Sequence, residues 1–259
     1  MLEDKERAHY IEKADILGAK IVTYYYVGFL CFPFYSLITN FVIDYSNEFK
    51  TTHLVHQLWI PWKLNNLWPY IFGNSFTVLT SVSMIMVFAS YTVMEFVFTF
   101  QFSAYLKVLQ NRLETKGPAD KTVYRHHRDL ILFLKEYNKL FSGPIYTEVL
   151  VSSLQPCGFG YALIKAIKRS ELGSAFDLAY KLCITIMCPF VLCACGQEIS
   201  TQMERLHEYS YMNKWYEEKP KVRRDLYTMM LVTVRPLNVN YRLFVVMNFA
   251  CFSSVIFIQ

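Results

Sequence analysis

The sequence predicts an all-α membrane protein, with a single domain over residues 1–259 that crosses the bilayer five times. The first observation is the composition, because 54% of the residues are hydrophobic, only 18% are charged and the mean hydropathy is +0.21. The second is the clustering of the charges, which leaves uncharged stretches that approach or exceed the roughly 20 residues needed to cross a hydrocarbon core about 30 Å thick. The third is a bias of the basic residues toward alternate loops.

The first two spans are predicted by long uncharged stretches. Residues 21–43 are 23 residues without a charge, and residues 64–94 are 31. A single acid, Glu95, interrupts the second stretch before the apolar run continues. We therefore expect membrane helices at about 18–43 and 71–101.

The other three spans are predicted from shorter apolar stretches. Residues 149–164 and 182–197 are 16 uncharged residues each, and the chain ends in 17 more at 243–259. A buried helix of a soluble protein is the alternative for a 16-residue stretch. Because lysine stems near the ends of such stretches can carry their charges to the interface, membrane spans are favoured. The expected boundaries are about 143–165, 178–200 and 226–259.

Basic residues predict the orientation, since loops rich in Lys and Arg stay in the cytoplasm. Eighteen Lys and Arg residues precede the first span or lie between spans two and three and between spans four and five, against five in the other two loops. This predicts a cytoplasmic N-terminus and an extracellular C-terminus. The net charge of +5 is then a topology signal, and no nucleic acid partner is expected.

Signatures of catalysis and of metal or cofactor binding are not found in the sequence, so we expect no enzyme activity, no metal and no cofactor. The seven cysteines all fall in apolar segments, which is typical of packing rather than of a disulfide framework or a metal site. The pair His126-His127 lies among basic residues of a polar helix, where a solvated face is expected.

Aromatic and apolar residues concentrate on the outer side of several spans and predict a pocket. Pro33 lies in the middle of span one, where a proline removes a backbone hydrogen bond, kinks the helix and opens space beside it. An aromatic pocket with a few hydroxyl groups suits a small apolar ligand, and plain packing between helices is the alternative explanation. The predicted ligand-binding residues are Phe29, Phe32, Tyr35, Phe76, Leu79, Tyr180, Ile184 and Met187.

The last quarter of the chain resembles the insect odorant receptor family in a series of spaced residues. The family pattern is a glycine leaving the sixth helix, then L-x-E-x-x-Y-x-x-x-W-Y, a basic stretch, a methionine-containing helix, K/R-P-L and a final helix. The matching residues are Gly196, Leu206, Glu208, Tyr211, Trp215, Tyr216, Arg223, Arg224, Met229, Met230, Arg235, Pro236, Leu237, Phe244, Asn248, Phe252 and Val255. Residues 127–157 also look like the helix that enters the family's fifth span.

The resemblance implies that the five spans correspond to helices three to seven of a seven-helix odorant receptor. It implies an odorant-binding, or tuning, subunit of a heteromeric odorant-gated cation channel in the plasma membrane of olfactory neuron dendrites. The implied partners are a small volatile apolar odorant, a co-receptor subunit that completes a hetero-tetramer, and the lipid bilayer.

The family's seventh helix is split, which places a division here near residue 236 between an anchor half and a pore half. The implied subunit-anchor residues are Tyr211, Trp215, Tyr216, Arg235 and Pro236. Because a helix has 3.6 residues per turn, one face of the pore half carries the residues predicted to line the pore. These are Tyr241, Asn248, Val255 and Gln259.

Two departures from the family pattern lead us to expect a chain truncated at both ends. The family's first two helices have no counterpart, and its last helix continues beyond the position of Gln259. We therefore expect that this chain alone forms no working gated channel. The alternatives are a gustatory-receptor-like channel subunit, which the W-Y and R-P-L motifs disfavour, and a non-receptor helical membrane scaffold, whose role the loss of odorant binding would not affect.

Overall fold

The structure, a computed structural model, describes residues 2–46, 67–170, 172–213, 215–234, 240–241, 245–246 and 248–257. Its helices are α1 (Leu2–Ser46), α2 (Leu67–Lys116), α3 (Lys121–Lys168), α4 (Leu172–Met212), a 3₁₀-helix (Trp215–Glu217), α5 (Pro220–Val234) and α6 (Phe249–Phe257). Two short strands, β1 (Asn240–Tyr241) and β2 (Val245–Val246), pair antiparallel with Asn240 opposite Val246. Over the described residues, the predicted all-α fold is confirmed apart from this short pair.

Three segments of the described chain have the length and hydropathy to cross a membrane. They are His9–Val42, Trp68–Lys116 and Leu172–Met212, which overlap the predicted first, second and fourth spans. Helix α3 contains the predicted third span, but its uncharged stretch of 16 residues is shorter than the roughly 20 of a full crossing. The third and fifth spans and the orientation therefore stay predictions.

Backbone polarity explains why these apolar stretches are helical. In hydrocarbon every backbone N–H and C=O must be satisfied within the protein, and a helix satisfies them within one segment. The hydroxyl groups of Thr77, Thr80 and Ser81 donate to carbonyl oxygens three or four residues earlier, so they are satisfied by the same helix. Pro33 and Pro189 lie inside α1 and α4, and both helices continue on either side of them.

A short turn between α2 and α3 is specified by its residues. Gly117 follows the last residue of α2 with a φ of 73°, a left-handed conformation that glycine adopts without steric cost. Asp120 caps α3, because its Oδ1 accepts a hydrogen bond from the backbone N–H of Thr122 at 2.9 Å. The hydrogen bonds from Thr122 lower the pKa of the Asp120 carboxyl. This turn makes α2 and α3 consecutive neighbours.

The chain forms two compact units. The first comprises residues 17–94, and the second comprises residues 1–16 together with residues 95–259. The first unit therefore contains most of α1 and the first part of α2, and the second contains the rest of α2 and all later elements.

In the first unit, α1 and α2 run antiparallel, as two contacts show. The Tyr26 hydroxyl lies 3.2 Å from the Ser90 hydroxyl. Further along α1 and earlier in α2, the buried Tyr70 side chain lies beside the buried Asp44 carboxylate. The other buried side chains of this unit are mainly small or polar: Ser36, Asn74, Thr77, Ser81, Ala89 and Thr92. Small side chains of this kind let helix backbones approach closely in a membrane.

The core of the second unit is formed by the later parts of α2 and α4, the first part of α3, and α5. Leu106, Leu109 and Leu113 follow one face of α2 and are at most 1% exposed. Among the described residues, the other fully buried large apolar side chains are Phe102, Leu134, Ile145, Ile199, Met203, Leu206 and Leu226, and the polar Gln202 is buried with them. Burying an apolar side chain of this size stabilises a fold by about 1.5–3 kcal/mol, so this core fixes the relative positions of its helices.

Specific contacts join the helices of this core. Phe98 of α2 stacks on Tyr137 of α3, with ring centroids 3.5 Å apart. The buried Gln110 side chain of α2 donates from Nε2 to the Gln202 carbonyl oxygen of α4 at 2.9 Å. These contacts set the register of α2 against both neighbours.

The region predicted as the fifth span, residues 226–259, is not one continuous helix over the described residues. Helix α5 ends at Val234, the paired strands follow, and α6 begins at Phe249. The predicted division near residue 236 lies outside the described residues.

Candidate functional site

Helix α4 connects the regions predicted to bind ligand, to line a pore and to hold subunits together. Tyr180, Ile184 and Met187 lie at positions i, i+4 and i+7, which places them on one face of this helix. Met187 is 54% exposed, and the other two side chains are partly exposed. No described side chain from 172 to 187 is fully buried, so this part of α4 presents an open surface.

A charged pair borders this face. The Lys181 Nζ lies 2.6 Å from Asp177 Oδ2, one helical turn away. Pairing the two charges within one helix lowers the cost of placing them in a membrane. The face therefore combines apolar side chains and the Tyr180 phenol with a nearby ion pair.

The middle of α4 contacts α6. The ring centroid of Phe190 lies 5.3 Å from that of Phe252 and 5.9 Å from that of Phe249. One turn further along α4, the side chain of Cys193 lies close to that of Cys251 and interacts with it. The contact with α6 therefore begins one helical turn beyond the predicted ligand-binding face.

The far part of α4 is packed and joined to α5. Ile199, Met203 and Leu206 are fully buried. The Nδ1 atom of His207 lies 3.0 Å from the Thr233 Oγ1 of α5. This part of α4 is therefore held against α5 by packing and by this polar contact.

The predicted pore-lining residues are distributed over two kinds of element. The backbone of Tyr241 lies in β1, whereas Asn248 precedes α6 and the backbone of Val255 lies within α6. Asn248 is the N-cap of α6, because its Oδ1 accepts a hydrogen bond from the backbone N–H of Cys251 at 2.8 Å. Gln259 and the side chains of Tyr241 and Val255 lie outside the described part. The pore-lining role of the four residues stays a prediction.

The ligand-binding residues predicted on α1 and α2 lie in the first unit. Tyr35, Phe76 and Leu79 expose between a third and two thirds of their surface. They lie between the two α1–α2 contacts described above, and the antiparallel register places Tyr35 at about the level of Leu79. The backbones of Phe29 and Phe32 belong to α1, and their side chains lie outside the described part.

The predicted subunit anchor includes exposed aromatic side chains. Tyr211 and Tyr216 are 64% and 60% exposed, and Trp215 is partly buried with its ring edge-on to Tyr216. Arg223 donates from Nη2 to the carbonyl oxygens of Tyr216 and Glu218, both at 3.1 Å, which fixes the 3₁₀-helix against the start of α5. Arg235 and Pro236 lie outside the described residues.

The expectation that the His126-His127 pair is solvated is wrong for His127. The His127 side chain is only 6% exposed, and no hydrogen-bond partner for its Nε2 lies among the described residues. Burial lowers the pKa of His127 to about 4, because the charged imidazolium loses its hydration. The sequence does contain a signal for this burial, since His127 follows Val123 and precedes Ile131 at four-residue intervals on one helical face.

A cavity of about 220 Å³ between α2 and α3 was not predicted. Its lining is formed by Tyr105, Val108, Leu109, Arg112, His126, Asp129, Leu130 and Phe133. The Arg112 Nη1 lies 3.0 Å from the His126 Nδ1 at this cavity. No sequence pattern marks the cavity, because its walls come from two different helices.

Two buried carboxylates face each other in the second unit. Glu95 of α2 and Glu148 of α3 are both buried and within electrostatic reach of one another. Neither side-chain oxygen of Glu148 has a hydrogen-bond partner among the described residues. The sequence marks Glu95 as the acid that interrupts an apolar stretch, but it cannot show that Glu148 lies beside it.

Comparison with known proteins identifies the family. A model of the 7tm Odorant receptor family matches residues 2–257. The chain belongs to the odorant receptor family. This confirms the resemblance predicted from the spaced motifs, and with it a membrane protein of a receptor family rather than an enzyme.

Individual odorant receptors show how far the similarity extends. Odorant receptor 85b of Drosophila melanogaster is 23% identical over 193 residues, which are 67% of this chain and 46% of that protein. The insect olfactory receptor OR5 from Machilis hrabei has a TM-score of 0.76 at 16% identity, covering 96% of this chain and 66% of that one. The structure of OR5 in complex with eugenol has a TM-score of 0.74 at 15% identity. The chain thus has the odorant receptor fold and spans about half the length of the Drosophila receptor.

Proposed function

We propose that the chain is the odorant-binding subunit of a heteromeric odorant-gated cation channel in the plasma membrane of olfactory neurons. The observation that carries the proposal is the continuity of α4. This one helix bears an open face at Tyr180, Ile184 and Met187, contacts α6 through Phe190, and packs against α5 at its far end. Membership of the odorant receptor family supports the receptor role.

The proposed ligand is a small, volatile, apolar odorant. The face of α4 offers an aliphatic side chain, a thioether and a phenol, so apolar surface dominates and one hydroxyl is available for a hydrogen bond. Burying apolar ligand surface on such a face contributes about 25 cal/mol per Å². The complex of OR5 from Machilis hrabei with eugenol supports this ligand class. The residues predicted on α1 and α2 remain predicted contacts.

The proposed gating step is a shift between two positions of α4 and α6. A ligand shifts a conformational equilibrium only as far as its affinities for the two states differ. Because the contact with α6 begins one turn from the ligand-binding face, a ligand that fits one position of α4 better also favours one position of α6. No covalent bond is made or broken in this mechanism.

The proposed partner is a co-receptor subunit in a hetero-tetramer. Exposed aromatic and aliphatic side chains continue from Tyr211 and Tyr216 onto α5 at Tyr227, Leu231 and Val234. Aromatic residues are enriched in subunit interfaces, and contiguous exposed apolar surface is uncommon on a monomer. This surface therefore supports a contact between subunits at the predicted anchor.

Ligand binding is tested by the thermal stability of the purified chain in lipid nanodiscs across a panel of odorants. We expect a saturable rise in melting temperature that Ile184→Trp removes, because the larger side chain fills the open face. Ile164→Trp is the matched control, since Ile164 is an exposed position on α3 and its substitution leaves the rise unchanged.

Assembly and gating are tested by co-expression with an odorant receptor co-receptor subunit. We expect the two chains to purify together and the odorants that stabilise the chain to evoke a cation current. A chain that binds no odorant saturably and does not purify with the co-receptor subunit would contradict the proposal.

A further inference from the structure

Two cysteines on different helices have their thiols close to each other. Cys193 of α4 is buried, Cys251 of α6 is partly accessible, and their side chains are near enough to interact. Both are free thiols. The proposed function assigns neither of them a role.

Packing holds this contact in place from both helices. Phe190 lies one turn before the thiol of α4, and its ring packs against Phe249 and Phe252, which flank the cysteine of α6. The backbone N–H of Cys251 donates to Asn248 Oδ1, so the cap of α6 fixes the backbone that carries the second thiol. The thiol contact is therefore part of a packed junction between α4 and α6.

Other cysteines of the chain have different surroundings. Cys31, Cys157 and Cys183 are exposed. Cys195 lies two residues after Cys193 on α4. Because successive helical residues are rotated by about 100°, it lies on a different face of the helix, beside Thr99 of α2. Among the cysteines whose side chains the structure describes, Cys193 and Cys251 are thus the pair that brings thiols of two helices together.

We propose that Cys193 and Cys251 are an oxidation site, which closes to an intramolecular disulfide when a hydroperoxide enters the membrane. A disulfide requires the two sulfurs to approach to about 2.05 Å, and the packed junction already holds both thiols where α4 meets α6. Small, uncharged hydrogen peroxide is the simplest reactant of this class. This reaction gives the junction a chemical role in addition to packing α4 against α6.

The reaction proceeds in two steps. The sulfur of the more accessible Cys251, as thiolate, attacks one peroxide oxygen; the O–O bond breaks, the other oxygen leaves as water after taking a proton, and a sulfenic acid forms. The sulfur of Cys193 then attacks the sulfenic sulfur, forming the S–S bond and displacing hydroxide, which takes the remaining thiol proton. Two thiols and one hydrogen peroxide thus give one disulfide and two waters, and two electrons pass from sulfur to oxygen.

The consequence for the channel follows from the position of the bond. It rests on the proposed function, in which α4 and α6 shift between two positions, and it adds that α6 moves relative to α4 in that shift. A disulfide fixes α6 on α4, so oxidation lowers the odorant-evoked part of the current, and a thiol reductant restores it.

The chemical test uses the full chain in membranes, treated with hydrogen peroxide, alkylated to block remaining thiols and digested with trypsin. Cleavage after Lys181, Arg205 and Arg242 releases residues 182–205 and 243–259 as separate peptides. We expect mass spectrometry to find these two peptides linked, at least about tenfold more abundantly than either is linked to the peptide with Cys157, because thiols held side by side react faster than thiols on separated segments.

Substitutions identify the reacting sulfurs. Cys193→Ser and Cys251→Ser each remove the link, whereas Cys183→Ser and Cys195→Ser, matched changes in the same tryptic peptide, retain it. A link that survives Cys193→Ser or Cys251→Ser would overturn the assignment. So would oxidation of the exposed Cys183 without any link between the two peptides.

The functional test records odorant-evoked current in cells that also express a co-receptor subunit. We expect peroxide to lower the evoked current of the unsubstituted chain, dithiothreitol to restore it, and Cys251→Ser to be insensitive to both. A peptide link with unchanged current would overturn the effect on gating while supporting the oxidation site. Absence of evoked current before peroxide would contradict the proposed function, and the peptide link would still decide the chemistry.

Discussion

The two halves of α4 belong to one helix but have different surroundings. From 172 to 187 no described side chain is fully buried, whereas from 192 to 210 every turn buries at least one side chain, including Ile199, Met203 and Leu206. Both halves contain many apolar residues, so hydropathy alone does not decide which half packs. In a membrane an apolar side chain can face lipid, a ligand or another helix, and only the last of these gives a fixed core.

This difference suits a receptor. The packed half fixes the helix to α2, α3 and α5, and the open half is free to meet a ligand. Four changes to the chain test the comparison, and they are ordered from the largest expected effect to the smallest.

The largest effect is expected from the same substitution in the two halves. Leu206 is fully buried and Leu172 is 83% exposed. Leu206→Ala leaves a cavity and should lower the free energy of unfolding by about 3 kcal/mol, whereas Leu172→Ala should change it by less than about 0.5 kcal/mol. Denaturant unfolding of the purified chain in detergent measures both, and equal losses would contradict the division of α4.

A pH effect is expected from His127 in the packed region. Because burial lowers the pKa of His127 from 6.5 to about 4, the folded chain keeps it neutral where the unfolded chain protonates it. Its contribution to stability is fully present above pH 6.5 and is lost as the pH falls toward 4. Between pH 7 and pH 5 the free energy of unfolding should fall by about 2 kcal/mol from this group.

The control for this effect is a substitution of each neighbouring histidine. His127→Gln should flatten the pH dependence of unfolding between pH 7 and pH 5, and His126→Gln should leave it in place. The buried-histidine explanation fails if the two variants titrate alike.

A smaller effect is expected at the start of α6. Asn248→Ala removes the N-cap and should weaken the first turn of α6 by about 1 kcal/mol, while Asn248→Asp retains a capping oxygen. Amide hydrogen exchange of residues 249–252 should become about fivefold faster in the alanine variant only. Equal exchange in both variants would show that the cap does not hold this helix.

The smallest effect on stability is expected on the open face of α4. Met187→Ala should change the free energy of unfolding by less than about 0.5 kcal/mol, because more than half of the side chain is exposed. The same change should raise the odorant concentration needed for half-maximal thermal stabilisation by about tenfold, which corresponds to about 1.4 kcal/mol of lost contact. Met203→Ala at a buried position is the control, since it should lower stability without this selective loss of ligand response.

The positions of the long helices could be predicted from the sequence, because an apolar segment in hydrocarbon satisfies its polar backbone groups within itself only as a helix. The uncharged stretches at 21–43, 149–164 and 182–197 lie within helices, and so do the described residues 67–94 of the stretch at 64–94. The helix ends could not be predicted in this way. Charged segments such as 107–116 and 121–142 continue the same helices, and they do so because they pack on one another rather than because of hydropathy.

Residues of the candidate site could be predicted only where the residues that form a spacing pattern lie close together in one segment of the chain. The spacing of Tyr180, Ile184 and Met187 is visible in the sequence, and so are the motifs around Trp215. The burial of His127 was not predicted, because the basic residues beside it in the sequence suggest a solvated helix face, whereas His127 itself lies on an apolar face.

Contacts between distant segments leave no local pattern in the sequence. The thiol contact of Cys193 with Cys251 and the approach of Glu95 to Glu148 each depend on how two helices pack. Neither separation along the chain nor residue type determines that packing, so these features required the structure.

Pro189 lies between the two halves of α4 and makes this the point where the helix bends most easily. Proline has no backbone N–H, so the carbonyl oxygen of Thr185 lacks its helical donor, and the Thr185 hydroxyl bonds back to the carbonyls of Lys181 and Leu182. The open half is therefore a short lever jointed to a fixed base. With a rise of about 1.5 Å per residue, a tilt of about 5° at this joint moves Tyr180, roughly 13 Å away, by about 1 Å. A lever of this length lets a molecule of a few heavy atoms tilt the open half about this joint, which lies next to the contact of Phe190 with α6.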